Sequence, residues 1–235
     1  MTVAVAGPPT SAPVRRPPTF VLKQVMAITG VIFVGYVFVH MIGNLKVFFG
    51  ADSFNSYAHW LREIGYPLIP HRGVLWTLRV VLVLSVVAHV WSALVLWVRG
   101  RRARGSHRRR RMPRLMASGA RLMLPGGLWI LVFVGVHLLD LTIGALVTPA
   151  AFRSGDAYQN LVASFSRVWM AVFYSATMLF IAAHITHGWW TMLQDLGATA
   201  RRFRLVWITV GVTIALAILL GNALIPVLVQ LGVIA

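Results

Sequence analysis

No cysteine occurs in the 235 residues, which excludes disulfides, thiolate-bound iron–sulfur clusters and a covalently attached c-type haem within this chain. Any metal must be held by other ligands. Charge is scarce as well: charged residues make up 11% of the chain, against about 25% in an ordinary globular protein. Only five of them are acidic. A proton or ion transporter should show acidic residues at mid-membrane or interrupted spans, and the only strong interior charges here are Asp140 and Arg79. Internal repeats are absent too, and the only stretches resembling linkers are a proline-rich start and one arginine run. A single domain is therefore expected.

What is abundant is apolar surface. The chain is 58% hydrophobic with a mean hydropathy of +0.77, the composition of an integral membrane protein. A hydrocarbon layer about 30 Å thick needs about 20 apolar residues per span, and five segments qualify, at 24–49, 75–98, 122–147, 167–194 and 205–232. The expected fold class is all-α and polytopic, because a backbone exposed to lipid must satisfy its own hydrogen bonds. Residues 1–20 (MTVAVAGPPTSAPVRRPPTF) lack the unbroken apolar core of a secretory signal and are expected to be a disordered, uncleaved cytoplasmic tail. The membrane domain is then 21–235.

The net charge of +17 invites a nucleic-acid reading, supported best by the run RGRRARGSHRRRRMPR at 99–114 in the expected cytoplasmic loop 99–121. Location argues otherwise. With the N-terminus inside, the cytoplasmic segments hold Arg15, Arg16, Lys23, every arginine from Arg99 to Arg121, Arg201, Arg202 and Arg204, whereas the outer segments hold only Lys46, Arg62, Arg72, Arg153 and Arg167. This asymmetry is the positive-inside rule. It predicts an outer C-terminus and contact with anionic lipids rather than nucleic acid.

Eight histidines occur, and the helix rise converts their positions into depths. His40 lies about 25 Å from the cytoplasmic edge marked by Lys23, and His137 about 24 Å from Arg121. His89 lies about 15 Å inward of Arg99, and His184 about 16 Å from Asp195. Each of the first four spans thus supplies one histidine, the odd spans at an outer level and the even spans at an inner one. A lone membrane histidine is explained by hydrogen bonding between helices, but four matched in pairs by depth are not. Two imidazoles at one level suit iron in a porphyrin, which accepts one on each face, better than structural zinc, which needs four ligands. His187 competes with His184, one helical turn away on nearly the same face, but its depth of about 12 Å matches His89 less well. His59, His71 and His107 belong to the connections. Gly30, Gly35, Gly43, Gly119, Gly126, Gly127, Gly135 and Gly188 would let a flat macrocycle approach the backbone or let helices pack closely.

The segments HMIGNLKVFFG (from His40), FNSYAHWLREIG (from Phe54), HLLDLTIG (from His137), GDAYQNLVASF (from Gly155) and HITHGWWTMLQDLG (from His184) resemble, in the same order, the membrane-anchor cytochrome b subunit of succinate:quinone oxidoreductases in its fused five-helix, di-haem form. The likeness runs from about residue 20 to 232 and leaves out the arginine run and the tail. It implies a bundle of the first four helices around two stacked b-type haems, with His40 and His137 as axial ligands of the outer haem and His89 and His184 of the inner one. The first histidine of HITHGWWTMLQDLG is the ligand in that family, which favours His184 and leaves His187 near a haem edge. No other metal is implied.

The resemblance also implies that this chain itself performs no dicarboxylate chemistry. A flavoprotein (FAD) subunit would oxidise succinate, or reduce fumarate in the reverse direction. An iron–sulfur subunit would pass electrons to the inner haem, and this chain would deliver them to a quinone, menaquinone by expectation, in a bacterial cytoplasmic membrane. Such complexes can form higher oligomers. Family members carry an acidic residue for quinone protons near the start of the second helix, and Glu63 is the nearest candidate. Arg79, Arg121 and Arg167 are candidates for haem propionates, Arg79 because an arginine inside a span usually faces a partner. Asp140, one turn beyond His137, would lie in water or orient a neighbour. The rival readings are a cytochrome b anchor for a hydrogenase or formate dehydrogenase, and a transporter using histidine relays.

Overall fold

A computed structural model describes residues 17–105, 114–198 and 200–235. Most of the proline-rich segment, His107 and arginines 108–111 lie outside these residues. The described chain forms seven α-helices: α1 (Thr19–Asn44), α2 (Ala51–Glu63), α3 (Gly73–Arg104), α4 (Arg114–His137), α5 (Ala157–Phe165), α6 (Val168–Asp195) and α7 (Arg201–Gln230). A 3-10 segment, Leu45–Phe49, extends α1, and a wide π-helical turn, Leu138–Ile143, extends α4. Five of the helices are long and apolar enough to cross a membrane, as the composition requires. α2 and α5 are shorter connections.

The spans differ from expectation mainly at their ends. α1 begins at Thr19 rather than 24, and α7 covers 201–230 rather than 205–232. α3 continues through the first arginines to Arg104, and α4 starts at Arg114, so helix covers both ends of the expected 99–121 loop. Arginine is a good helix former, its long stem keeps the charge in water while the backbone stays helical, and cations at the C-terminal end of α3 complement its dipole. At the other end of α4 the α-helix stops at His137, and the span is completed by the wide turn to Ile143, after which residues 144–156 connect to α5.

The five long helices form two antiparallel pairs and a buttress. α3 packs on α1, α4 packs on α6, and α1 lies against α6, while α7 covers both α6 and α1. α6 is the centre of this arrangement, burying Met170, Tyr174, Thr177, Met178, Ile181 and Ile185. α3, by contrast, buries only Ser85 and Ser92, which with His89 form the stripe that meets α1. At one end of the bundle Lys23 pairs with Asp195 at 2.7 Å, so the start of α1 and the end of α6 share one level. At the opposite end α2 and α5 join in a cap: Asn55 donates to Asp156 at 3.0 Å and accepts from the Tyr158 backbone N–H at 3.0 Å. The Gln230 side chain then ties α7 to the Phe165 carbonyl.

The join between α1 and the cap depends on a missing side chain. Gly43 is buried, and a Cβ placed there would stand 2.6 Å from the Tyr57 ring of α2. Overpacking of this kind costs about 1–3 kcal/mol. Gly43→Ala is therefore expected to lower the thermal unfolding midpoint of the detergent-solubilised protein, whereas Gly100→Ala, where a Cβ meets nothing within 4 Å, is expected not to lower it.

Candidate functional site

Four apolar helices carry one histidine each into the bundle interior, and the structure brings them together in two pairs. His40 of α1 faces His137, the last residue of α4, with ring centres 5.9 Å apart and planes at 83°. His89 of α3 faces His184 of α6 at 6.4 Å and 52°. These are the pairs that helix depth selects. Gly127 backs the His184 ring, a Cβ there falling 3.3 Å from Cε1. Because Gly127 precedes His137 by ten residues on α4, the two layers are about 15 Å apart along the axis. Trp129, Phe133, Phe173 and Phe180 fill the space between them, with successive ring centres 5.3 to 5.9 Å apart.

The ring separations distinguish two uses of an imidazole pair. A direct N–H···N hydrogen bond of about 2.9 Å would bring the ring centres to about 5.2 Å. Two metal–nitrogen bonds of about 2.0 Å on one shared atom would set them about 6.3 Å apart. The observed 5.9 and 6.4 Å exceed the separation of a direct hydrogen bond and lie in the range of the aromatic contacts around them. The His184 Nδ1 atom is also buried without a hydrogen-bond partner, an expensive state for a nitrogen that serves packing alone. Among the described residues no three histidine or acidic side chains converge. Each layer is thus a two-imidazole donor set, which suits a metal whose remaining positions are filled by a macrocycle. The residues fit haem b in both layers.

His187 is half-buried and points elsewhere: its Nδ1 lies 2.6 Å from where a Cβ on Gly119 of α4 would be, while His184 takes the place opposite His89. Glu63 ends α2 and pairs with His71 at 2.6 Å, and His71 stacks on Tyr66 with centres 4.1 Å apart. His59 is exposed on α2. Arg121 is exposed near the start of the third span. Arg79 lies on α3 within the second span. It is exposed, with its guanidinium 4.9 Å from the Trp76 ring centre, because the indole one turn away offers a cation a neutral apolar partner.

Arg167 and Asp140 form the polar centre that the sequence had left open. Asp140 is fully buried at the wide turn after His137, and Arg167 donates to its Oδ1 at 2.7 Å. Ser164 and Tyr174 both donate to Oδ2, Tyr174 at 3.2 Å. A second Arg167 nitrogen donates to the Val147 carbonyl at 2.5 Å, and the guanidinium lies 5.1 Å from the Trp169 ring centre. Arg167 is thus engaged with a carboxylate. The available signal was a single acidic residue in an apolar span, which must find a partner. Thr29, Ser164 and Tyr174 carried no signal of their own.

Outside the bundle, a cleft of about 540 Å³ opens beside the α1–α2 junction, lined by Lys46, Ser53, Ser56, Tyr57 and Trp60. Tyr57 covers Gly43, less than one turn beyond His40.

Comparison with protein-family models, with curated proteins and with solved structures found no match to this chain. The functional reading therefore rests on the motifs and on the geometry above.

A charge buried in this way is costly to leave unpaired. Asp140→Leu or Arg167→Leu alone is expected to destabilise the solubilised protein by about 3–5 kcal/mol, and the double substitution by clearly less than the sum of the two. Thermal unfolding of the three variants in one detergent checks this.

Proposed function

We propose that the chain is the membrane-anchor cytochrome b subunit of a succinate:quinone oxidoreductase, the family its motifs resemble. The observation that carries this reading is the two facing histidine pairs at two depths, one imidazole from each of four spans. His40 and His137 would hold the outer haem b, and His89 and His184 the inner one. Bound there, the haems supply one-electron transfer across the membrane interior. The polypeptide's part is to present neutral imidazoles, to space the layers on rigid helices and to exclude water with the aromatic residues between them.

The remaining roles follow from position. The cytoplasmic ends of α3 and α7 expose Arg99 to Arg102 and Arg201 to Arg202, with only Arg99 half-buried. This basic surface is the docking face for an iron–sulfur subunit carrying its flavoprotein partner, and it also attracts anionic lipids. Quinone would bind at the outer layer, where the cleft beside Tyr57 and Trp60 offers hydroxyl groups, the Lys46 ammonium and an indole face. Ser53, Ser56, Tyr57 and Trp60 lie on one stripe of α2, and Glu63, three residues past Trp60, continues it. Glu63 would exchange the protons that quinone takes up with its two electrons. This assigns the N-terminus to the cytoplasm and the C-terminus to the outer side of a bacterial cytoplasmic membrane.

A reduced-minus-oxidised optical spectrum of the purified chain, with pyridine haemochrome quantitation, tests the reading. Two haem b per chain are expected, with loss of about one after His40→Ala or His137→Ala and of the other after His89→Ala or His184→Ala. A colourless protein, or a full complement after His184→Ala, would overturn it. Because the chain has no cysteine, orientation can be read from single introduced thiols. Ala235→Cys should react with an impermeant maleimide applied to intact spheroplasts, and Gly100→Cys only after lysis.

A further inference from the structure

We infer that each histidine pair is built asymmetrically: one imidazole is oriented by a hydrogen-bond chain that ends on a group able only to accept. The tethered members are His89, through Thr29, and His137, through Tyr174 and the Asp140–Arg167 pair. The inference rests on the haem reading above and adds positioning residues to it.

The direction of each chain follows from donor arithmetic. In the inner layer Thr29 Oγ1 lies 2.8 Å from His89 Nδ1 and 2.6 Å from the Val25 carbonyl oxygen. A hydroxyl has one proton, and a carbonyl oxygen has none. The Thr29 proton therefore goes to Val25, and Oγ1 accepts from His89 Nδ1–H. That places the His89 lone pair on Nε2, the nitrogen left for a ligand. Thr29 is itself buried, so water does not compete for these contacts.

In the outer layer the terminus is a carboxylate. Asp140 accepts from Arg167 at 2.7 Å, and a carboxylate paired with a guanidinium offers only acceptors. Tyr174 accordingly donates its proton to Asp140 Oδ2 at 3.2 Å, and its oxygen accepts from His137 Nδ1, 3.4 Å away. The His137 lone pair is again on Nε2. Phe133, Phe165 and Phe173 surround the phenol with ring centres 4.9 to 6.1 Å from it, which leaves Tyr174 little freedom to turn away.

The opposite member of each pair is held differently. His184 Nδ1 is buried without a partner, and His40 stacks on Tyr36 with centres 5.6 Å apart. The tethered histidines are on α3 and α4, the outlying members of the two helix pairs, and the others are on the central helices α1 and α6. The tethers thus orient the ligands whose helices are fixed by the fewest neighbours. A hydrogen bond accepted from Nδ1–H also raises the basicity of Nε2, which would favour the ferric state of an iron held there.

The test is a potentiometric titration of the purified chain carrying its haems, followed optically and by electron paramagnetic resonance. Thr29→Val should raise the midpoint of the inner haem alone, and Tyr174→Phe that of the outer haem alone. Each shift should correspond to a change of up to about tenfold in the oxidised-to-reduced ratio, or about 59 mV. Thr29→Ser should restore the inner value. Asp140→Asn should cost the outer haem while the inner is retained, because an amide can donate to Tyr174 and reverse the chain. Thr29→Val is nearly isosteric, so the inner-layer result stands even where an outer-layer variant fails to fold. With both haems present in the unaltered chain, midpoints that stay put in Thr29→Val, or that move together in both layers, overturn the tethers and leave the haem reading standing. An unaltered chain without haem overturns that reading and the tethers with it.

Discussion

Hydrocarbon offers no hydrogen bonds, so every polar group carried into it must be matched within the protein. An imidazole is demanding under this rule because it has two nitrogens, one donor and one acceptor when neutral. His89 satisfies one through Thr29 and His137 does so through Tyr174, and each ring lies beside a second histidine. The same rule explains Asp140. A carboxylate with no exposed surface is tolerable only because one guanidinium and two hydroxyls converge on it, and the connection after α4 is arranged so that Ser164 and Arg167 can reach it.

Helix rise makes depth readable, so the levels of the four histidines, and with them the pairs, were legible from residue numbers. The five spans were legible for a related reason, since length and apolarity are local properties. Span ends were not, because arginine both forms helix and reaches water, and α3 runs six residues beyond the last apolar position. Orientation around the helix axis was also hidden. Arg79 has an interior index and an exposed side chain that lies over Trp76 on its own helix. The link between Asp140 and Arg167 spans a turn, a loop and a short helix, and no periodicity connects them. Thr29 and Tyr174 were silent because hydroxyl residues are ordinary in membrane helices.

The two layers share a plan but differ in the strength of their fixing. The inner tether ends on a backbone carbonyl one turn away on the same helix, so it is built into α1 itself. The outer tether depends on α5 and the start of α6 arriving in the right place, with a wide turn of α4 making the room. The outer layer therefore draws on more of the fold, including the cap that joins α2 to α5 and α7 to α5.

The helices pair as α1 with α3 and α4 with α6, yet no histidine faces a partner from its own hairpin. His40 reaches from the first hairpin to His137 of the second, and His89 reaches across to His184. Whatever the two rings grip is consequently a rivet between halves that touch directly mainly through α1 and α6. Neither half presents a complete pair by itself: the His40–His137 pair can form once the third span is in place, and the His89–His184 pair only with the fourth.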